Sequence, residues 1–191
     1  MEPIEINAGT YYLRQFRADD RLDDRPALLS AFSDPAVRGA SPDYGVDTIE
    51  TATAYIHARA AGWRDDSHYT WAIAELTTGR LIGEVRLELG DRSTTGAGSD
   101  GASPDTESEP VTARLTVWTH ADTRRQGVAA TAVSTVLRFG FGALDLERVE
   151  AICAKDNAAA VALAHRCGFR RDDSCDSGDG TPATLHWTTN G

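Results

Sequence analysis

The residue types best able to do chemistry in this chain stand together in Arg124-Arg125-Gln126-Gly127-Val128-Ala129. An alternating stretch from Val111 to Trp118 precedes them, and an apolar-periodic stretch to about Leu144 follows. A strand, a basic turn with a glycine and a helix start make a site for a phosphorylated ligand. The first N–H groups of a helix have no partner inside it and carry partial positive charge, so an anion placed there accepts their hydrogens. Gly127 has no Cβ, which lets an anion approach the backbone closely. Arg124 and Arg125 add fixed charge and forked donors.

A second candidate is Glu84, on an alternating strand. Turned inward, its carboxylate accepts a proton directly or through water. Turned outward, it is a solvated residue in alternation with Arg86 and Glu88. His120, just before the basic turn, suits a loop or capping role.

These residues need elements to position them. Tyr11 to Phe16 predicts a first strand. Asp19-Asp20 precede a helix through Leu28, Leu29 and Phe32 that ends near Asp34-Pro35, and Ser41 to Gly45 reads as loop. Asp47 with Glu50 three residues on is a capping-box-like start. The helix after it carries Ile49, Ala52, Tyr55, Ile56, Ala60 and Trp63 near helical spacing. Tyr69 to Glu75 and Leu81 to Leu89 flank Thr77-Thr78-Gly79-Arg80 as a hairpin. Residues 91–110 are Gly, Ser, Thr, Asp, Glu and Pro with almost nothing apolar, and read as a mobile loop between antiparallel strands. Then come a strand from Val111 to Thr119, a helix from near Gly127, and a strand from Arg148 to Ala154. An alanine-rich helix from Asn157 to Cys167, closed by Gly168, and a last strand from Ala183 to Trp187 complete the order. Without a run of regular βαβ units, this is α+β with a mixed sheet.

At 191 residues the chain is expected to form one domain. No apolar run approaches the roughly 20 residues of a membrane helix, and the N-terminus lacks a basic-then-apolar secretory pattern. Cys153, Cys167 and Cys175 lack close metal-ligand spacing, so they read as free thiols of a reducing cytoplasm, and no metal is expected. Twenty-nine Asp and Glu oppose 19 Lys and Arg, a net charge of −10, which argues against nonspecific nucleic-acid binding. Lys155 is the sole lysine. An acidic, lysine-poor surface reads either as an adaptation to a high-salt cytoplasm or as the codon bias of a GC-rich genome.

Two motifs and the element order resemble the GCN5-related N-acetyltransferase (GNAT) superfamily. The first is the Arg/Gln-x-x-Gly-x-Gly/Ala signature, here Arg124-x-x-Gly127-x-Ala129. The second is Asn157…Leu163-Ala164…Gly168-Phe169, with Asn157 30 residues after Gly127 and a strand between. Trp71-Ala-Ile, Leu81-Ile-Gly83, Trp118-Thr-His120 and Phe139 to Leu144 are similar to the Rim-type ribosomal-protein N-terminal acetyltransferases. The resemblance implies a mostly antiparallel sheet flanked by helices and splayed between its fourth and fifth strands, those bearing Val117 and Val149. It implies acetyl-CoA as donor and an amine as acceptor, and it admits a homodimer. By position, the amides from Arg125 to Ala129 cradle the pyrophosphate. Val117, Trp118 and Thr119 pair with pantetheine, Asn157 bonds the pantetheine arm, and an N–H near Trp118 steadies the oxyanion.

Three positions depart from the pattern. Ala164 stands where many members carry a tyrosine that protonates the departing thiolate, Ala160 where many Rim-type members carry a serine, and Arg114 where a Rim-type glutamate is offered as base. Loss of the acid need not abolish transfer, because a thiol of pKa about 8–9 is a fair leaving group. His165 adjoins Ala164 but points about 100° away, so it reads as surface. Tyr44 and Trp63 read as packing residues or as walls of the acceptor site. Asp43 and Asp47 read as solvated loop carboxylates or as attractants for a cationic amine. Two functions follow: transfer of an acetyl group to an N-terminal α-amine or small-molecule amine, or a non-catalytic acetyl-CoA-binding module.

Overall fold

The computed structural model describes residues 1–42, 44–90, 111–172 and 184–191. The expected loop at 91–110, Asp43 and Cys175 lie outside the described residues. The strands are β1 (Ile6–Ala8), β2 (Tyr11–Arg14), β3 (His68–Glu75), β4 (Leu81–Leu89), β5 (Thr112–Thr119), β6 (Arg148–Ala154), β7 (Arg170–Arg171) and β8 (Thr184–Asn190). The helices are α1 (Arg25–Phe32), α2 (Pro35–Ala40), α3 (Ile49–Asp65), α4 (Val128–Ala143) and α5 (Ala158–Arg166), with a 3-10 turn at Ala121–Thr123.

The strands form one sheet in the order β1-β2-β3-β4-β5-β6-β8-β7. Every step is antiparallel except β5–β6, which is parallel. This is the α+β mixed sheet expected from the sequence.

Each face of the sheet is covered by helices because its strands alternate apolar side chains. Ile73, Val85, Leu87 and Leu115 pack with Val133, Val136 and Leu137 of α4. On the other side Ala72, Leu81 and Trp118 pack with Phe16, Leu28, Phe32, Tyr55 and Ile56. Gly83 lets β4 meet β5 closely, since a Cβ there would lie 2.5 Å from the Trp118 carbonyl oxygen.

Three boundaries differ from the expectation. The α3 cap is Thr48 with Thr51, not Asp47 with Glu50: the Thr48 hydroxyl accepts from the Thr51 N–H, and the Thr51 hydroxyl accepts from the Thr48 N–H at 2.9 Å. A short β1 turns back on β2 through Gly9 at φ 77. Asp34-Pro35, read as a helix stop, also starts α2, with Asp34 as N-cap accepting from the Ala36 N–H at 2.8 Å. Proline at a first helical position fits that role, because its missing N–H would have had no partner.

Candidate active site

The site is built at the parallel seam. β5 and β6 pair only through Thr112↔Arg148, Ala113↔Val149 and Arg114↔Glu150. Beyond Arg114 and Glu150 the two strands diverge, as the family resemblance implied for the strands bearing Val117 and Val149. The opening holds a cavity of about 510 Å³ lined by Leu115, Thr116 and Val117 on β5 and Ala151 to Ala154 on β6. Asn157, Ala160 and Ala164 of the α5 segment and Ala36, Gly39 and Ala40 of α2 complete its walls.

One edge of β5 is therefore bare. His120 donates its N–H to the Ile82 carbonyl at 2.9 Å, and backbone polar groups alternate in direction along an antiparallel strand. Trp118 thus spends its N–H and C=O on β4, whereas those of Val117 and Thr119 face the opening. The side chain of Trp118 packs away from the cavity, edge-on to Phe32 at 6.1 Å and near His120 at 6.2 Å.

The basic turn follows directly from β5. Arg125 sits at φ 61 and Gly127 at φ 84, both left-handed, and Gly127 is the N-cap of α4 with no side chain capping it. The first-turn amides from Val128 and Ala129 onward thus start α4 with no side-chain acceptor. A Cβ on Gly127 would meet nothing within 4 Å. What Gly127 supplies is the left-handed φ, in front of open space. Arg125 is exposed in a strained conformation, a pattern that concentrates at functional sites. Gln126 ties the turn down by donating from Nε2 to the Asp122 carbonyl at 2.9 Å.

Arg124 has a partner. Its guanidinium donates to Asp34 at 2.5 Å and reaches the Thr119 carbonyl at 3.4 Å. The Ala36 N–H, aided by Arg124, holds the Asp34 carboxyl below the usual range. One carboxylate thus caps α2 and bridges it to the basic turn. Asp34→Ala should cost about 1 kcal/mol, the usual worth of a cap, and lower Tm by roughly 2–4 °C. A thermal melt at pH 7 checks this; an unmoved Tm would show the bridge and cap to be idle.

Asn157 is the N-cap of α5, accepting from the Ala160 N–H at 3.1 Å. That bond uses its side-chain oxygen and leaves the amide NH2 as a donor at the cavity wall. Cys153 and Cys167 both line the cavity and are free thiols. Burial pushes the Cys167 thiol up, and it lies 3.9 Å from the Ala130 carbonyl.

Glu84 does not line the cavity. It is 1% exposed, so it is not the solvated residue that alternation with Arg86 and Glu88 allowed. Tyr55 donates to it at 2.5 Å, and Arg59 Nε lies 3.5 Å away. Burial, then the Glu84 charge, raises the Tyr55 phenol. Burial opposes the Arg59 charge, but Glu84 and the tyrosines outweigh it and hold its pKa above the ordinary value. The Arg59 guanidinium stacks on the rings of Tyr44 and Tyr55 at 4.4 and 4.2 Å. Sequence reasoning passed over Arg59, although one signal was present. It sits four residues after Tyr55 and four before Trp63, on the apolar stripe of α3, where a charge requires a buried partner.

The remaining candidates are structural in their contacts. Trp63 is buried and donates to the Thr70 carbonyl at 3.0 Å. His120 Nε2 lies 3.0 Å from the Ala27 carbonyl. Asp47 is exposed and accepts from the Thr51 hydroxyl at 3.3 Å. His165 is exposed, edge-on to Trp187 at 4.8 Å. Among the described residues no cluster of His, Cys, Asp and Glu could hold a metal ion, and no helix is long and apolar enough to cross a membrane.

The family model described as "Acetyltransferase (GNAT) domain" matches residues 11–170. The uncharacterized N-acetyltransferase YoaA of Bacillus subtilis (strain 168) is 25% identical over 149 residues, covering 78% of this chain and 75% of the relative. Among solved structures, RimL, the ribosomal L7/L12 alpha-N-protein acetyltransferase in complex with coenzyme A, superposes with a TM-score of 0.70 at 15% identity, covering 98% of both chains. The Microcin C7 self-immunity acetyltransferase MccE, in complex with acetyl-CoA and AMP, gives 0.69 at 15% identity, covering 97% of this chain and 95% of that one.

Proposed function

The chain belongs to the GNAT acetyltransferase family, and from that premise we propose that it moves the acetyl group of acetyl-CoA to a primary amine, an N-terminal α-amine being favoured. The observation that carries this reading is the bare edge of β5 opening onto the uncapped start of α4. In it, the amides from Arg125 through Gln126, Gly127 and Val128 to Ala129 hold the pyrophosphate at the helix N-terminus. Arg124, bridged to Asp34, sets the turn. Val117 and Thr119 pair with pantetheine as an added strand, with Trp118 between them anchoring β5 to β4. Asn157 donates its amide to the pantetheine arm.

The reaction is direct. A neutral amine attacks the thioester carbonyl, the oxyanion receives the slot-facing N–H of Val117, and the C–S bond breaks to release coenzyme A thiol. Holding donor and acceptor together supplies much of the rate. An α-amine, with pKa near 7.7–8, is partly neutral at pH 7 and needs little help from a base. That suits a cavity whose lining carries no carboxylate or histidine among the described residues. Glu84, expected as a base, is better placed to hold α3 against the sheet through Arg59 and Tyr55.

Thiol release from acetyl-CoA across a panel of N-terminal peptides and small amines tests the reading. Turnover with α-amines, exceeding that with lysine side chains, is the expected result. Tight coenzyme A binding with no turnover on any acceptor would favour the non-catalytic module instead.

A further inference from the structure

The cavity is longer and more apolar than an acetyl group needs. Thr119 to Val117 is the segment assigned to pantetheine, which runs from the pyrophosphate turn inward and puts the sulfur near Val117. The opening continues to Leu115 before the strands close at Arg114↔Glu150. Those two residues of strand amount to roughly 7 Å of groove. With carbon–carbon bonds of about 1.5 Å, that is room for a zigzag chain of about five carbons.

Several of the wall residues are small. Ala151 faces the groove from β6, and Ala160 and Ala164, one turn apart, face it from α5. No lining residue among the described ones carries a charge. Trp187, 2% exposed, closes one wall and leaves its indole N–H without a partner among the described residues. The groove therefore offers mainly apolar contact and neutral polar groups, with nothing charged to neutralise a carboxylate.

We propose that this site takes straight-chain acyl-CoA donors longer than acetyl, with Ala160 and Ala164 setting the room and the closed Arg114↔Glu150 pair setting the limit. The inference rests on the donor reading above. The chemistry is unchanged: the amine nitrogen bonds the acyl carbon, the C–S bond breaks, and the proton lost by the amine balances the thiolate that leaves.

Calorimetry with coenzyme A and with acetyl-, propionyl-, butyryl-, pentanoyl-, octanoyl- and succinyl-CoA tests it. Affinity should tighten about fourfold per buried methylene from acetyl to pentanoyl. It should stop improving by octanoyl, and succinyl should bind no better than acetyl. Ala164→Phe should flatten the series, lowering the butyryl-to-acetyl ratio of kcat/KM at least tenfold. An affinity that is flat or falls from acetyl to butyryl in the wild-type protein overturns the proposal while leaving the donor reading intact. Failure of coenzyme A itself to bind overturns the donor reading. If Ala164→Phe fails to fold, the wild-type series decides alone.

Discussion

Gly127→Glu should abolish coenzyme A binding while leaving the protein folded. The substituted residue keeps the left-handed φ of 84, which costs an L side chain roughly 1–2 kcal/mol. A domain of ordinary stability, about 5–15 kcal/mol, survives that. Apart from its chain neighbours, nothing lies within 4 Å of the new Cβ, so the side chain has open space at the start of α4, where the proposal puts the pyrophosphate. A carboxylate there meets the pyrophosphate. At about 4 Å and an effective dielectric of 20, each pair of like charges repels by about 4 kcal/mol, or nearly three decades in affinity. Gly127→Ala is the control, because it carries the same backbone strain without the charge and should weaken binding less than tenfold. Calorimetry with coenzyme A, alongside far-UV circular dichroism, separates the effects. Unchanged affinity in the glutamate variant would remove the turn from the donor site.

The second large effect falls on stability. Glu84 and the Arg59 side chain are 1% and 2% exposed. Glu84→Gln keeps the shape and removes the charge that compensates Arg59. Leaving a buried partner unpaired costs about 3–5 kcal/mol, a Tm loss of roughly 6–20 °C for a chain of this length. The Tyr44 and Tyr55 rings share part of the guanidinium charge, which places the result near the lower end. Where the variant remains folded, its pH–rate profile should keep its shape, because this carboxylate does not line the cavity. The double variant Arg59→Met, Glu84→Leu should recover much of the loss, since apolar replacement of a whole buried pair is often neutral. An unmoved Tm together with a shifted pH profile would restore Glu84 as a base.

The sequence was most legible where a local rule decides the structure. The turn before α4, the hairpin around Gly79 and the α5 stop at Gly168 each follow from a glycine at positive φ beside a periodic run. What it concealed depends on contacts between distant residues. The partners of Glu84 come from a helix 25 to 29 positions earlier in the chain, which strand alternation does not record. The Arg124–Asp34 bridge spans 90 positions. The β1 strand has three residues, too few for periodicity to register. The motif that carries the family resemblance was legible down to its register. Which backbone N–H groups near Trp118 face away from β4, those of Val117 and Thr119, follows from the His120 to Ile82 bond, a contact that alternation alone does not record.

The parallel seam also has a mechanical meaning. Strands β1 to β5 and β6 to β8 meet through three residue pairs at one end, so the sheet is an unfinished weave. In the proposed reading the donor is the missing thread, bonded to β5 along its length and held at its phosphate end by α4. A ligand bound only to the native state adds to its stability, about 2.7 kcal/mol at a hundred times Kd. Each turnover would then dismantle and restore part of the protein's own architecture, making the resting fold tighter in a cell rich in coenzyme A than in one depleted of it.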